Sequence, residues 1–142
     1  MTQNEKLQDL SPPAAYELLQ NDPRALLIDI RTNMEFLFVG HPTGSVHIPW
    51  MDGPDWVKNP DFLTDVRQLL LGGSGEDSNS PVPVILICRS GQRTVDAGNA
   101  LIEAGIENVY HVDEGFEGDL DENHHRGNTG GWRHHNLPWK QC

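Results

Sequence analysis

Cysteine is almost absent from this chain. Of 142 residues two are cysteines, Cys88 and Cys142, and the second is the last residue. A disulfide framework is thereby excluded as the source of stability, and a chain of this length can bury an adequate core as one domain without such staples. Basic residues are also few: 10 Lys and Arg stand against 21 Asp and Glu, a net charge of -11. That balance argues against nucleic acid or an anionic membrane as a partner, so any anion must be captured by a local cluster. No apolar run is long enough to span a bilayer, and residues 1–6 contain nothing like the apolar stretch of a secretory leader. Cytoplasmic residence is the expectation, a compartment in which a thiol stays reduced. No internal repeat is visible.

What is present concentrates at Cys88. The stretch Cys88-Arg89-Ser90-Gly91-Gln92-Arg93-Thr94 follows the apolar run Val84-Ile85-Leu86-Ile87 and precedes a helical pattern that reaches Ala104. A strand-to-helix turn brings loop amides and first-turn N–H groups towards one sulfur, and the helix dipole favours an anion there. Such a setting favours the thiolate, which is the nucleophilic form. Gly91 lets the loop curl with positive φ, and Arg93 and Arg89 add positive charge for an anionic substrate. The plain alternative is an inert cysteine ending a core strand. The neighbouring glycine and two arginines weigh against it.

Along the rest of the chain, Ser11 as N-cap and Pro12 at the first helical position predict a helix that ends near residues 21–23. Residues 26–30 read as a buried parallel strand, 33–38 as a short helix, 40–44 as a turn cluster and 45–48 as a short strand stopped by Pro49. Phe62, Leu63, Val66, Leu69 and Leu70 predict an amphipathic helix over 60–71, closed by Gly72 and followed by a loop over 73–83. A strand over 84–88, a helix from Thr94 that stops at Gly105, and a strand over 109–112 complete the alternation. The pattern predicts an α/β domain over 1–142, with a mainly parallel central sheet and helices on both faces. The Cys88 loop then lies at the carboxyl end of a central strand, where open α/β sheets bind ligands. Residues 119–142 read as an extension packed on the domain and pinned by Trp132 and Trp139.

Several other clusters invite a role. Asp29, Arg31 and Glu35 suggest one ion-pair network at a strand end. His41 and His47 read as structural, because a thiolate-forming loop needs no histidine base. The pairs His124-His125 and His134-His135 lack companion cysteines and a helical two-histidine motif, so they read as solvated loop histidines, with no metal site expected.

The ordered set Leu27-Ile28-Asp29-Ile30-Arg31, Glu35-Phe36, Gly40-His41-Pro42, Gly44-Ser45-Val46-His47-Ile48-Pro49, residues 84–94, Ala97, Leu101, Ala104-Gly105, Val109-Tyr110-His111-Val112 and Gly115-Phe116-Glu117-Gly118 resembles the rhodanese family. The resemblance implies a rhodanese-like domain that transfers sulfane sulfur through a cysteine persulfide, as a thiosulfate sulfurtransferase does, without a cofactor. It makes Cys88 the nucleophile and Arg89, Ser90, Gly91, Gln92, Arg93 and Thr94 the loop around the transferred sulfur. The implied partners are a small anionic sulfur donor and a cyanide or thiol acceptor, with a protein as a further candidate acceptor. Residues 111–116 depart from the family's leucine-rich, double-glycine segment, which is expected to alter the pocket wall.

Two other readings of the same loop remain open. Related phosphatases and arsenate reductases use a cysteine-arginine loop with five intervening residues, whereas here Arg89, Ser90, Gly91 and Gln92 make four. The smaller cradle suits one sulfur atom. A sulfur-carrier or regulatory binding module is the other alternative, against which the intact Cys88, Gly91 and Arg93 speak. Within the loop, Arg93 is expected to hold the cradle together and Arg89 to face the donor. Cys142 is expected to be idle rather than a resolving thiol.

Overall fold

A parallel strand covered on both faces needs apolar side chains at successive positions, and Val84-Ile85-Leu86-Ile87 supplies four that are fully buried. In the computed structural model, which describes residues 6–53, 55–73 and 81–141, this run is the central strand of a five-stranded sheet. In chain order the elements are β1 (Gln8–Leu10), α1 (Pro12–Asn21), β2 (Leu26–Asp29), a π-helical turn (Glu35–Val39), β3 (His41–Pro42), β4 (Val46–His47), β5 (Met51–Asp52) and β6 (Val57–Lys58). They continue with α2 (Phe62–Gly73), β7 (Val84–Ile87), α3 (Arg93–Glu103), β8 (Val109–Val112) and β9 (Trp139–Lys140). The sheet order is β1-β8-β7-β2-β4, and every pairing in it is parallel.

Strand alternation sorts the core into two layers. Val84, Leu86 and Cys88 join Ile28 and Ile30 beneath Phe62 and Val66 of α2 and Ala97 and Leu101 of α3. Ile85, Ile87 and Leu27 face the other way, against Ala15 of α1, Phe116 and Trp132. The expected α/β architecture with helices on both faces is therefore what forms. The Ser11 hydroxyl caps α1 by accepting from the Ala14 N–H at 3.2 Å, as its sequence signature predicts.

The differences from the sequence reading are local. The short helix expected over 33–38 widens into the π-helical turn and ends at Gly40, with φ +112. The exit is fixed by buried contacts: Arg31 Nη2 donates to the Gly40 carbonyl, and Phe36 stacks on both His41 and His47, with ring centroids 3.8 and 4.4 Å away. Gly72 does not close α2, which runs on to Gly73. Strand β1 and the small antiparallel pairs β5-β6 and β3-β9 carried no readable periodicity, because two or three residues are too few to display one. Most of the loop expected over 73–83 and all of Cys142 lie outside the described residues.

The segment from 119 onwards returns across the α1 face. Trp132 is 1% exposed, meets Tyr16 edge-on at 6.1 Å and donates its Nε1–H to the Pro138 carbonyl at 2.7 Å. Trp139 stays partly exposed and rests edge-on against Phe116, with 5.9 Å between the ring centroids. Among the described residues no helix is long and apolar enough to cross a membrane.

Candidate active site

Cys88 follows the last residue of β7 and shares the facing of Val84 and Leu86, so the strand's pleat aims it into the α2–α3 layer. It is 1% exposed. Residues 89–92 then turn the chain into α3, whose second residue is Thr94. Among the described residues two polar groups reach the sulfur: the loop's Gly91 N–H donates to Sγ at 3.2 Å, and the Thr94 hydroxyl of α3 lies 3.7 Å from it.

Gly91 has φ +95, and a Cβ there would run into the Asp113 carbonyl. The loop is braced from behind by the segment after β8. The Phe116 N–H donates to the Cys88 carbonyl at 2.8 Å, and the Glu117 and Gly118 N–H groups donate to the Arg89 carbonyl at 2.9 and 3.1 Å. Gly115 makes this approach feasible, since a side chain there would meet the Arg89 backbone. The segment expected to reshape the pocket wall therefore supports the loop from behind, and none of its residues lines the cavity at Cys88.

That cavity holds about 280 Å³ and is lined by Cys88, Arg89, Ser90, Gln92 and Arg93 together with Met51 and Trp56 of the β5–β6 hairpin. Of the loop residues singled out from sequence, Gly91 and Thr94 contact the sulfur instead of lining the cavity. Met51 and Trp56 were missed. Trp56 carries a signal visible only in the backbone, a φ of 55 in a bulky residue, which marks a held conformation.

The two arginines are used differently. Arg93 forms a bidentate pair with Glu35, Nη1 to Oε1 at 2.8 Å and Nη2 to Oε2 at 3.0 Å, and its guanidinium lies 5.2 Å from the Trp56 ring centroid. Burial works to raise the Glu35 carboxyl, but the Arg93 guanidinium and the Thr32 N–H and hydroxyl override it and hold the carboxyl at about 2. On Arg93 burial opposes the charge, and the Glu35 carboxylate outweighs it, so the guanidinium is held above its ordinary range. The expected Asp29, Arg31 and Glu35 network is therefore two separate pairs. Asp29 and Arg31, both fully buried, engage each other, with Nε to Oδ1 at 2.9 Å and Nη2 to Oδ2 at 2.7 Å. Glu35 turns away to Arg93, because the π-helical turn points it at the start of α3. Arg89 is half-buried, and its enclosed Nε has no hydrogen-bond partner among the described residues.

Histidines supply fastenings around this site. His41 Nδ1 reaches the Phe36 carbonyl at 2.9 Å and His47 Nε2 the Arg31 carbonyl at 2.8 Å. His135 Nε2 pairs with Glu114 Oε1 at 2.9 Å, and His134 Nδ1 meets the Gly127 carbonyl at 3.1 Å. Among the described residues no group of three or more His, Cys, Asp or Glu could hold a metal ion. His111, read from sequence as a strand residue alone, stands 2.7 Å from the Thr94 hydroxyl and 2.8 Å from Asp9.

Comparison with known proteins matches residues 11–122 to the rhodanese-like domain. A thiosulfate sulfurtransferase of Haemophilus influenzae, GlpE, is 30% identical over 111 residues, which cover 78% of this chain and 86% of that protein. An uncharacterized protein of Rickettsia rickettsii is 29% identical over 142 residues, covering 94% of this chain and 98% of its own. Among solved structures, the crystal structure of Rv0390 from M. tuberculosis superposes with a TM-score of 0.80 at 39% identity, covering 95% of this chain and 98% of that one.

Proposed function

The chain belongs to the rhodanese-like domain family, and on that footing we propose that it is a sulfurtransferase of the thiosulfate type working through a Cys88 persulfide. The observation that carries the reading is the position of Cys88. Its sulfur receives the Gly91 N–H at 3.2 Å, and Cys88 lines a cavity together with Arg89, whose Nε has no hydrogen-bond partner among the described residues.

The chemistry follows from that arrangement. A thiosulfate-like donor enters beside Arg89 as an anion, and the Cys88 thiolate attacks its outer sulfur. The donor's S–S bond breaks, sulfite leaves with the bonding pair, and Cys88 keeps the sulfur as a persulfide. The terminal sulfur carries negative charge and needs fixed N–H donors, which a loop of this shape provides. Cyanide or a thiol then attacks that sulfur, and the Cys88 thiolate departs. The cycle is ping-pong. A persulfide donor fits the same scheme, and so does a protein thiol as acceptor. The setting proposed is the cytoplasm, with the chain acting as a single domain and residues 119–142 as its extension.

Incubation with thiosulfate should add the mass of one sulfur atom at Cys88 in intact and peptide mass spectra. With cyanide added, thiocyanate should accumulate. Cys88→Ser should lose both signals and keep the native circular dichroism spectrum, and thiocyanate production by that variant would overturn the proposal.

A further inference from the structure

Strand register places Asp9 of β1 directly beside His111 of β8, and α3 sets Thr94 above the same histidine. The result is an unbroken chain of polar atoms leading away from the sulfur. Cys88 Sγ is 3.7 Å from Thr94 Oγ1, Thr94 Oγ1 is 2.7 Å from His111 Nδ1, and His111 Nε2 is 2.8 Å from Asp9 Oδ1. Cys88, Thr94 and His111 are all buried, whereas the Asp9 side chain is 72% exposed.

Donor and acceptor roles along the chain are set by the two ends. An ionised carboxylate only accepts, so His111 Nε2 carries the proton that faces Asp9. In the neutral ring Nδ1 is then the acceptor, the Thr94 hydroxyl donates to it, and the Thr94 oxygen is left to accept from the Cys88 thiol. All the hydrogen bonds run in one direction, from sulfur to surface.

We propose that Thr94, His111 and Asp9 form a relay that removes the thiol proton from Cys88, an inference that rests on Cys88 being the nucleophile. The S–H bond breaks and its electron pair stays on Sγ. The proton passes to Thr94 Oγ1, the threonine's own proton passes to His111 Nδ1, and the imidazolium so formed faces the Asp9 carboxylate. Thr94 ends neutral, with its O–H turned to the thiolate it has created. Cys88 is 1% exposed, and the hydrogen-bonded chain leads from it to the exposed Asp9 carboxylate. Thr94 touches the reacting sulfur. His111 and Asp9 act through it as positioning residues.

The other charges around His111 leave Asp9 as its direct carboxylate partner. Asp113, two residues along, interacts with both His111 and Asp9 through space, and Glu114 lies beyond it. On β7 the cross-strand neighbour is Leu86, which is uncharged. From α3, Arg93 acts on Cys88 and is itself paired with Glu35.

The test is alkylation of Cys88 by iodoacetamide, followed by peptide mass mapping across pH. This electrophile is neutral, and its reaction needs no sulfur transfer. Asp9→Asn, at an exposed position, and Thr94→Val should each slow alkylation about tenfold at neutral pH, the loss of one hydrogen bond to a charged group. Both should match the native rate in strongly alkaline buffer, where hydroxide takes the proton directly, and Thr94→Ser should recover most of the loss. Native rates at neutral pH in both variants, or an equal slowing at every pH, would overturn the relay. If the relay pattern appears but thiosulfate leaves no persulfide, the relay stands and the sulfurtransferase reading falls. If a persulfide forms but the alkylation rates stay native, the relay alone falls.

Discussion

Arg93 and Glu35, 58 residues apart in sequence, meet edge to edge, with the two terminal guanidinium nitrogens 2.8 and 3.0 Å from the two carboxylate oxygens. The pair ties the start of α3 to the π-helical turn, and Thr32 holds Glu35 from its other side through N–H and hydroxyl bonds of 3.1 Å. An arginine so engaged positions the loop, and its charge is already matched. On the proposed sulfurtransferase reading, anion capture then falls to Arg89.

Acid sensitivity is the first consequence. Glu35 is held at about 2 against an ordinary value of 4.5, so its folded form is the stronger acid. A depressed carboxyl contributes stability that is complete above 4.5 and lost as pH falls from there towards 2. Its full size is at most about 3 kcal/mol. Urea midpoints measured across that range should fall more steeply for the native protein than for Glu35→Gln. Parallel curves would show that the pair contributes no pH-dependent stability.

A division of labour between the arginines is the second. Arg89→Ala should weaken productive thiosulfate capture roughly ten- to a hundredfold, the worth of one charge-assisted contact, and leave the melting temperature near native. Arg93→Ala strands the Glu35 carboxylate and should lower both half-reactions and the melting temperature together. Stopped-flow sulfuration and sulfur release, with thermal melts, separate the two. Equal defects in both steps with unchanged stability would contradict the assignment.

Gly91 and Gly105 offer a matched pair, since both have φ near +94: +95 at Gly91 and +93 at Gly105. At Gly105 an added Cβ meets no atom of the described residues within 4 Å, so Gly105→Ala should cost about 1 kcal/mol, from backbone strain. At Gly91 the same methyl meets the Asp113 carbonyl and must displace the loop. Gly91→Ala should therefore cost clearly more in denaturant titration and slow Cys88 sulfuration, while Gly105→Ala sulfurates normally. Equal stability losses would mean that the loop yields without effort.

Much of this was legible in the sequence where long periodic segments were at work. The apolar run into Cys88, the Ser11-Pro12 start and the helical spacing of Phe62, Val66 and Leu69 each state their element locally, so the layered sheet could be read. What escaped was whatever depends on two distant segments meeting. Sequence proximity groups Glu35 with Asp29 and Arg31, because nothing local reveals that the turn after β2 points it at α3. The Thr94, His111 and Asp9 contacts required the β1–β8 register, and β1 is only three residues long. Trp56 reached the cavity through a hairpin of two-residue strands, below the length at which alternation can be seen.

Loop length yields the last prediction. A phosphate ester presents a tetrahedral dianion that needs several donors spread over a wide cradle, and in a cysteine-arginine loop the closing arginine is the strongest of them. Four residues separate Cys88 from Arg93, and the Arg93 fork is occupied by both oxygens of Glu35. The Gly91 N–H, 3.2 Å from Sγ, is set close to a single sulfur atom. Turnover of an aryl phosphate should accordingly be far below thiocyanate formation under the same conditions, and it should not improve in Glu35→Gln enough to approach it. Hydrolysis of the ester at a comparable rate, lost in Cys88→Ser, would place phosphoryl transfer ahead of sulfur transfer for this loop.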